Sequence, residues 1–241
     1  MSKTFKQKLG QFLIPKLPVT RELFDQLRFE LIATSIKIKR KFDVGYRYQI
    51  KKINKQGDIS LNIGAGPFGE IGWVNLDLSK YKNITFVYDC RKQLPFDNGT
   101  VSRIRCEHFF EHLDRREHTA PFLKECLRVL KPGGVLRIIV PDLELFINAY
   151  SQNTDEGWNK IGFDLSDDKQ RFHTPIEILN HTFRQDGEHK FGYDYFTIEK
   201  DLRKAGFSMV NKMEWGKSID PLLQSDLRNH QPYSLYVDAI K

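Results

Sequence analysis

From residue 57 to residue 241, short apolar segments alternate with helical or turn-rich segments. Seven of these segments predict β-strands: 59–63, 73–78, 84–89, 101–106, 135–140, 207–215 and 234–240. Strands that alternate with helices form a doubly wound, parallel α/β sheet. Since only a loop separates the last two strands, we expect them to pair antiparallel. The sequence therefore predicts a Rossmann-like, mostly parallel seven-stranded sheet with an antiparallel C-terminal strand.

Basic residues are concentrated in the N-terminal quarter of the chain. Residues 1–56 contain 14 Lys and Arg against 4 Asp and Glu, whereas the remaining residues contain 24 basic and 27 acidic side chains. Apolar residues at helical spacing predict a helix from the N-cap Thr20 to about Phe42, with Gly45 ending it. We expect a basic helical arm at 1–56 and a domain at 57–241, with an insertion or acceptor region at 152–196.

This charge asymmetry is typical of a chain with an anionic partner, either a membrane surface or a nucleic acid. A solvated basic helix that packs on the domain is the simpler alternative. The sequence has no apolar run of about 18 residues and no secretory signal. Its three cysteines lack CxxC spacing, which argues against a disulfide framework or a zinc site. We expect a cytoplasmic protein whose arm contacts the inner face of the membrane peripherally.

A glycine-rich loop follows the first predicted strand. Gly64, Gly66 and Gly69 fit the GxGxxG pattern in the context that dinucleotide and nucleoside sites require; a tight turn that needs glycine for backbone reasons alone is the alternative. A dinucleotide site expects an acidic residue about 20 positions on, after a full helix. Here Asp77 ends the second strand only 13 residues after Gly64, which leaves little room for that helix and argues against a nicotinamide cofactor.

A nucleoside without phosphates does not need the missing helix. Asp77, at the end of the second strand, can accept hydrogen bonds from both ribose hydroxyls. Asp89, at the end of the third strand, can accept one from an adenine amino group. These residues meet the requirements of S-adenosylmethionine.

Four segments carry a resemblance to a known family. They are LNIGAG at 61–66, GWVNLDLS at 72–79, YDCRKQLPFDNGTVSRIRCEHFFEHL at 88–113 and LKECLRVLKPGGVLRIIVPDLE at 123–144, with a weaker match at 180–207. In this order they resemble class I S-adenosylmethionine-dependent methyltransferases of the type 11-like group. Within that group, the set is most similar to small methyltransferases of polysaccharide and sugar biosynthesis.

The resemblance implies a cofactor site along the strand ends. Gly64 and Gly66 match the cofactor loop, Asp77 matches the ribose-binding acid, and Asp89 matches the residue near adenine. Glu107 stands where the methionine end of the cofactor passes. The full predicted cofactor set is Asn62, Gly64, Ala65, Gly66, Asp77, Leu78, Asp89, Cys90 and Glu107.

Methyl transfer to a hydroxyl requires alignment of the nucleophile and removal of its proton, and histidine is suited to act as base near neutral pH. The candidates are His112, His189, His181 and His108. We expect His108 and His112 to share one face of a helix that starts near Glu107. The resemblance favours His112 and places His181 and His189 near the acceptor pocket; a buried structural role for His112 is the alternative. Because EHFFEH is not the HExxH zinc signature, we predict no metal.

Tyr193, Asp194 and Tyr195 form an aromatic–acid–aromatic group that suits a sugar acceptor. An ordinary helix-entry segment is the alternative. Together with the resemblance, the sequence predicts an S-adenosylmethionine-dependent methyltransferase that O-methylates a small-molecule or glycan acceptor. The alternatives are an RNA methyltransferase, a methyltransferase for another small molecule, and a non-catalytic scaffold with a cofactor-binding fold.

Overall fold

The computed structural model describes residues 20–167, 169 and 171–241, so residues 1–19 of the predicted arm lie outside the described residues. The chain divides into two units, residues 1–44 and 45–241. The described part of the first unit contains helix α1 (Arg21–Phe42). Thr20 caps it as predicted, because its Oγ1 accepts a hydrogen bond from the backbone N of Leu23 at 3.3 Å.

A second helix, α2 (Val44–Gln56), follows almost at once. The prediction that Gly45 ends the helical region is wrong, because Gly45 lies in the first turn of α2. The break falls instead at Asp43, whose backbone is extended (φ −79°, ψ 101°). Three apolar residues of α2, spaced at one and two helical turns, pack against the core of the second unit: Tyr46, Ile50 and Ile53.

Seven strands form one sheet within the described residues, in the order β3-β2-β1-β4-β5-β7-β6. They are β1 (Ile59–Ile63), β2 (Val74–Asp77), β3 (Phe86–Val87), β4 (Val101–Glu107), β5 (Leu130–Pro141), β6 (Met209–Met213) and β7 (Ser234–Ile240). Strands β1 to β5 pair in parallel, whereas β7 pairs antiparallel with both β5 and β6. The predicted fold class is confirmed.

The described helices of the second unit beyond α2 are α3 (Thr119–Val129), α4 (Leu143–Gln152), α5 (Asp155–Lys160), α6 (Pro175–Arg184) and α7 (Tyr195–Ala205). Helix α3 contributes Phe122, Leu123 and Cys126 to the main core beside the sheet. Helices α4, α5 and α6 each contribute to a smaller apolar cluster built around Phe146, Trp158 and Ile178. This second cluster lies largely in the predicted insertion region.

The segment after β4 differs from its prediction. No helix begins near Glu107, because β4 runs through that residue and the backbone N of His108 donates to Ile139 O of β5 at 2.8 Å. His108 then takes a left-handed backbone (φ +49°), and a short 3-10 helix covers Phe110–His112. The prediction that His108 and His112 share one helix face is therefore wrong.

A buried ion network holds the segment 214–233 against the sheet. Arg137 of β5 is fully buried; its Nε and Nη2 donate to the carboxylate of Asp226 at 2.8 and 2.6 Å. Its Nη1 donates to Asp238 of β7 at 2.7 Å, and Nη2 also contacts Glu214 O. Removing one partner of such a buried pair costs about 3–5 kcal/mol, since the remaining charge is left uncompensated.

Candidate active site

The loop after β1 turns back onto the end of β2. Gly64 and Gly66 have φ of +68° and +49°, a left-handed backbone that favours glycine. The backbone N atoms of Gly64 and Ala65 donate to Leu76 O at 2.9 and 3.1 Å. The N of Gly66 donates to Asp77 Oδ2 at 2.9 Å. The structure thus brings the predicted cofactor loop and the predicted ribose acid into direct contact.

The two glycines of this loop have different surroundings. A Cβ added to Gly64 would lie 2.6 Å from side-chain atoms of Phe109, in the segment that follows β4. A Cβ added to Gly66 would meet no atom within 4 Å. Gly64 therefore permits a close approach between two segments of the chain, while Gly66 borders open space.

The carboxylate of Asp77 is oriented by two backbone donors. Ser79 N donates to Oδ1 at 2.7 Å, and Gly66 N donates to Oδ2 at 2.9 Å. Each carboxylate oxygen can accept a further hydrogen bond, and the side chain is half-buried. The two oriented carboxylate oxygens of Asp77 can accept hydrogen bonds from the two ribose hydroxyls of S-adenosylmethionine. The open space beside Gly66 leaves room for its nucleoside.

Asp89 lies two residues beyond β3 and is held by Arg91, whose Nε and Nη2 each donate to one carboxylate oxygen at 2.9 Å. Burial opposes ionisation of this side chain, but the hydrogen bond and charge of Arg91 outweigh it and hold the pKa of Asp89 below its usual range. Cys90 is buried next to it, and Leu78 is half-buried after β2.

A surface groove of about 580 Å³ beside Arg91 contains none of the predicted site residues.

Asn62 has a structural contact. It is buried on β1, and its Nδ2 donates to Asn75 Oδ1 at 3.2 Å. Asn75 in turn accepts from Glu70 N at 2.9 Å and donates to Glu70 O at 2.7 Å. The amide of Asn62 thus supports the loop between β1 and β2, and any contact with the cofactor stays a prediction.

Glu107 ends β4 and meets the segment 214–233. Its Oε1 accepts from Leu227 N at 3.1 Å and lies 3.1 Å from His230 Nδ1. Sequence reasoning missed both partners, because they lie far along the chain and follow no recognisable motif. The segment 214–233 therefore lies beside Glu107, where the methionine end of the cofactor is predicted to bind.

A buried carboxylate, Glu111, gathers three of the four predicted histidines. Glu111 is 1% exposed. Its Oε1 lies 3.2 Å from His108 Nδ1 and 3.9 Å from His189 Nε2, and the rings of His112 and His189 are 4.9 Å apart. Burial raises the pKa of Glu111, but these histidines more than offset it and the net shift is downward. The sequence prediction named the histidines and missed the acid between them.

The fourth predicted histidine, His181, lies on α6 and contacts Phe172, with ring centroids 4.7 Å apart. Burial lowers the pKa of His181, and the charge of Arg171 adds to this effect. The described cluster of potential ligand groups contains Glu111, His112 and His189 without His181.

The predicted substrate group occupies structural positions. Tyr193 is 1% exposed and packs against Phe110, with ring centroids 4.9 Å apart. Asp194 caps α7 by accepting from Thr197 N at 2.8 Å, and Tyr195 Oη donates to Val210 O at 3.3 Å. These contacts agree with the helix-entry alternative, and acceptor binding by the group gains no support from them.

Residues 72–138 match the Methyltransf_11 family model, described as a methyltransferase domain. The matched segment includes Asp77, Asp89, Glu107 and the acid–histidine pair Glu111–His112. It identifies an S-adenosylmethionine-dependent methyltransferase. The predicted enzyme class and cofactor are confirmed. A search of curated proteins gives no match to this chain.

Several solved structures are similar to the methyltransferase. A SAM-dependent methyltransferase from Archaeoglobus fulgidus has a TM-score of 0.47 and 18% identity, covering 88% of this chain and 94% of its own. One from Thermotoga maritima, described as a possible histamine N-methyltransferase, has a TM-score of 0.47 and 16% identity, covering 92% of this chain and 97% of its own. The 1,6-didemethyltoxoflavin-N1-methyltransferase of Burkholderia thailandensis, with bound S-adenosylhomocysteine, has a TM-score of 0.47 and 12% identity, covering 93% of this chain and 92% of its own. The strand order of this chain establishes its fold independently.

We predict that Asp77→Asn weakens S-adenosylmethionine binding about 10- to 100-fold, because a hydrogen bond to a charged group contributes about 1.5–3 kcal/mol. Isothermal titration calorimetry measures this affinity. Asp97→Asn, at an exposed position of another loop, is the matched control and should bind as the unmodified chain does. Equal affinities of the two variants would contradict the assignment of Asp77.

Proposed function

We propose that this methyltransferase transfers the methyl group to a hydroxyl of a sugar or glycan intermediate. The resemblance of its motifs to small methyltransferases of polysaccharide and sugar biosynthesis supports this acceptor class. When bound, S-adenosylmethionine supplies a methyl group on a positively charged sulfur, which is already activated for displacement. The protein must therefore position the acceptor hydroxyl and take its proton.

The observation that carries the proposal is the position of His112 beside Glu111. His112 Nδ1 lies 3.2 Å from Glu188 O. Since a carbonyl oxygen only accepts, this contact requires a hydrogen on Nδ1 and leaves the lone pair of Nε2 available. The side chain is half-buried, so an acceptor can reach it. His112 is therefore suited to act as the general base.

In the proposed step, the hydroxyl oxygen forms a bond to the methyl carbon while the carbon–sulfur bond breaks and leaves its electron pair on sulfur. The hydroxyl proton passes to His112 Nε2 and then to solvent. The carboxylate of Glu111, one oxygen of which lies within 4.8 Å of a ring nitrogen of each of His112 and His189, stabilises the imidazolium that forms.

His189 is suited to a positioning role. Its Nδ1 lies 2.6 Å from Thr182 O, which fixes the ring. Burial lowers the pKa of His189 despite the opposing charge of Glu111, which favours the neutral ring. The backbone N of the next residue, Lys190, donates to Glu111 O at 2.8 Å and joins this segment to the 3-10 helix. His189 thus faces the carboxylate as a neutral, oriented ring.

We predict that His112→Ala lowers kcat about 100-fold or more, the usual contribution of a general base, while the Kd for S-adenosylmethionine stays unchanged. Release of S-adenosylhomocysteine is measured with UDP- and GDP-sugars as acceptors and with tRNA in parallel. His173→Ala, at an exposed position, is the control.

Unchanged turnover of His112→Ala would contradict the histidine base. Methylation of tRNA without methylation of any sugar would replace the acceptor class by RNA. Cofactor binding without turnover on any acceptor would favour the scaffold alternative and overturn the proposal.

We further propose that the basic arm contacts an anionic membrane surface. In α1, Leu27, Leu31 and Ile38 fall on one face by helical spacing and are 53%, 71% and 56% exposed. The last turn is basic, with Lys39, Arg40 and Lys41. An exposed apolar face with cations is typical of helices that lie in a membrane interface. Among the described residues, no helix is long and apolar enough to cross a bilayer.

We predict that the full chain co-sediments with vesicles containing phosphatidylserine and not with pure phosphatidylcholine, since each cation near an anionic surface contributes about 1 kcal/mol. The double variant Leu27→Glu/Leu31→Glu should lose this binding. Ile147→Glu, which alters a residue that is 52% exposed on α4, is the matched control and should keep it. Absence of sedimentation with either vesicle type would contradict membrane contact, and equal binding to both would contradict attraction to an anionic surface.

A further inference from the structure

Glu111 is a charged side chain in the second unit without the hydrogen bonds that its burial demands. It is 1% exposed, and neither carboxylate oxygen receives a well-aligned hydrogen bond from the described residues, although His108 Nδ1 lies 3.2 Å from Oε1. An unpaired buried carboxylate is costly, because it loses its hydration without a replacement. The geometry around Glu111 therefore calls for a cation.

The neighbouring histidines present acceptors to this carboxylate. His112 Nδ1 and His189 Nδ1 face the carbonyl oxygens of Glu188 and Thr182 at 3.2 and 2.6 Å, so each Nδ1 carries the hydrogen and each Nε2 carries a lone pair. His189 Nε2 lies 3.9 Å from Glu111 Oε1, too far for a hydrogen bond. Glu111, His112 and His189 thus present three acceptor groups to one another, and His108 is the neighbouring side chain with a possible donor.

This arrangement is the one that metal-binding histidines adopt. Ligating histidines commonly donate one ring N–H to a backbone carbonyl, which fixes the tautomer and aims the other nitrogen at the ion. Both histidines have such a carbonyl partner. His108 adds an outer contact, since its Nδ1 lies 3.2 Å from Glu111 Oε1 and its Nε2 lies 2.9 Å from Ser234 Oγ.

We propose that Glu111, His112 and His189 bind a divalent transition-metal ion, with Zn²⁺ as the best match. Their ligand atoms all lie within 4.8 Å of one another. Ligands at about 2.0–2.2 Å from a tetrahedral zinc are roughly 3.4 Å apart, so the groups need to close by little more than 1 Å. Two histidines and one glutamate form a known zinc ligand set that leaves one coordination position open.

The sequence prediction of no metal depended on the absence of HExxH spacing, and this site does not use that spacing. Its ligands come from two segments, the 3-10 helix at 110–112 and the loop before Tyr193. In the ion-bound form Nε2 of His112 is a ligand and can take no proton, so the ion replaces His112 in activating the acceptor: its open position can hold the acceptor hydroxyl and lower its pKa. That use of the ion rests on the proposed function, whereas binding of the ion does not.

Titration of the untagged full chain with Zn²⁺, and with Co²⁺ as a spectroscopic probe, tests the site without any acceptor. We expect one ion per chain and the intense visible absorption of four-coordinate Co²⁺. His112→Ala and His189→Ala should each weaken binding by at least about 10-fold, since even outer partners of a metal site contribute that much. His173→Ala should bind as the unmodified chain does.

Glu111→Gln keeps the shape of the buried side chain and should also lose the ion, with circular dichroism and thermal unfolding reporting that it is folded. Absence of binding to the unmodified chain, or binding that survives in both His112→Ala and His189→Ala, would overturn the site. If the unmodified chain binds the ion, these variants lose it, and the unmodified chain methylates no sugar, the proposed function is overturned and the metal site stands.

Discussion

The position of Arg137 between Asp226 and Asp238 is the interaction on which the architecture of the site depends. All three side chains are buried, and the two ion pairs join β5, β7 and the segment 214–233. A guanidinium suits this place because it remains charged and its planar donors match carboxylates. Since the network satisfies both acids, a polar segment can cover the edge of the sheet without leaving buried charges unpaired.

That anchored segment completes the site from one side. Through Leu227 and His230 it contacts Glu107, and at its end Ser234 contacts His108. On the other side, the glycine loop meets Asp77. In a parallel sheet the carboxyl ends of the strands share one edge. The cofactor residues and the Glu111 cluster thus belong to one edge, where the methyl donor and the acceptor must meet.

The contact between the glycine loop and Asp77 could be predicted because its residues are close in sequence. Gly64 and Gly66 follow β1, and Asp77 ends β2. Glycine indicates a backbone position that needs conformational freedom, and aspartate indicates a hydrogen-bond acceptor. The histidines were named for their chemistry, yet Glu111 was missed, because its importance comes from burial among side chains that only the fold brings together. The four-residue spacing of His108 and His112 predicted a helix. Spacing cannot reveal that His108 takes a left-handed backbone, which prevents a helix from starting there.

Errors at element boundaries have a similar physical origin. Gly45 was taken as a helix end, although glycine in a first turn costs only about 1 kcal/mol and packing of α2 on the core overrides it. Tyr193 and Asp194 suited a glycan by residue type, but their roles in the core and at a helix N-cap are decided by tertiary contacts. Residue type alone therefore did not reveal these tertiary contacts, and acceptor binding by Tyr193 and Asp194 stays a prediction.

The most direct test of the account is a crystal structure of the full chain with S-adenosylhomocysteine. The account predicts that the two ribose hydroxyls lie within hydrogen-bond distance of the two carboxylate oxygens of Asp77, and that the sulfur faces the Glu111, His112 and His189 cluster. Cofactor density away from the Gly64–Gly66 loop, or a sulfur that faces away from this cluster, would contradict it.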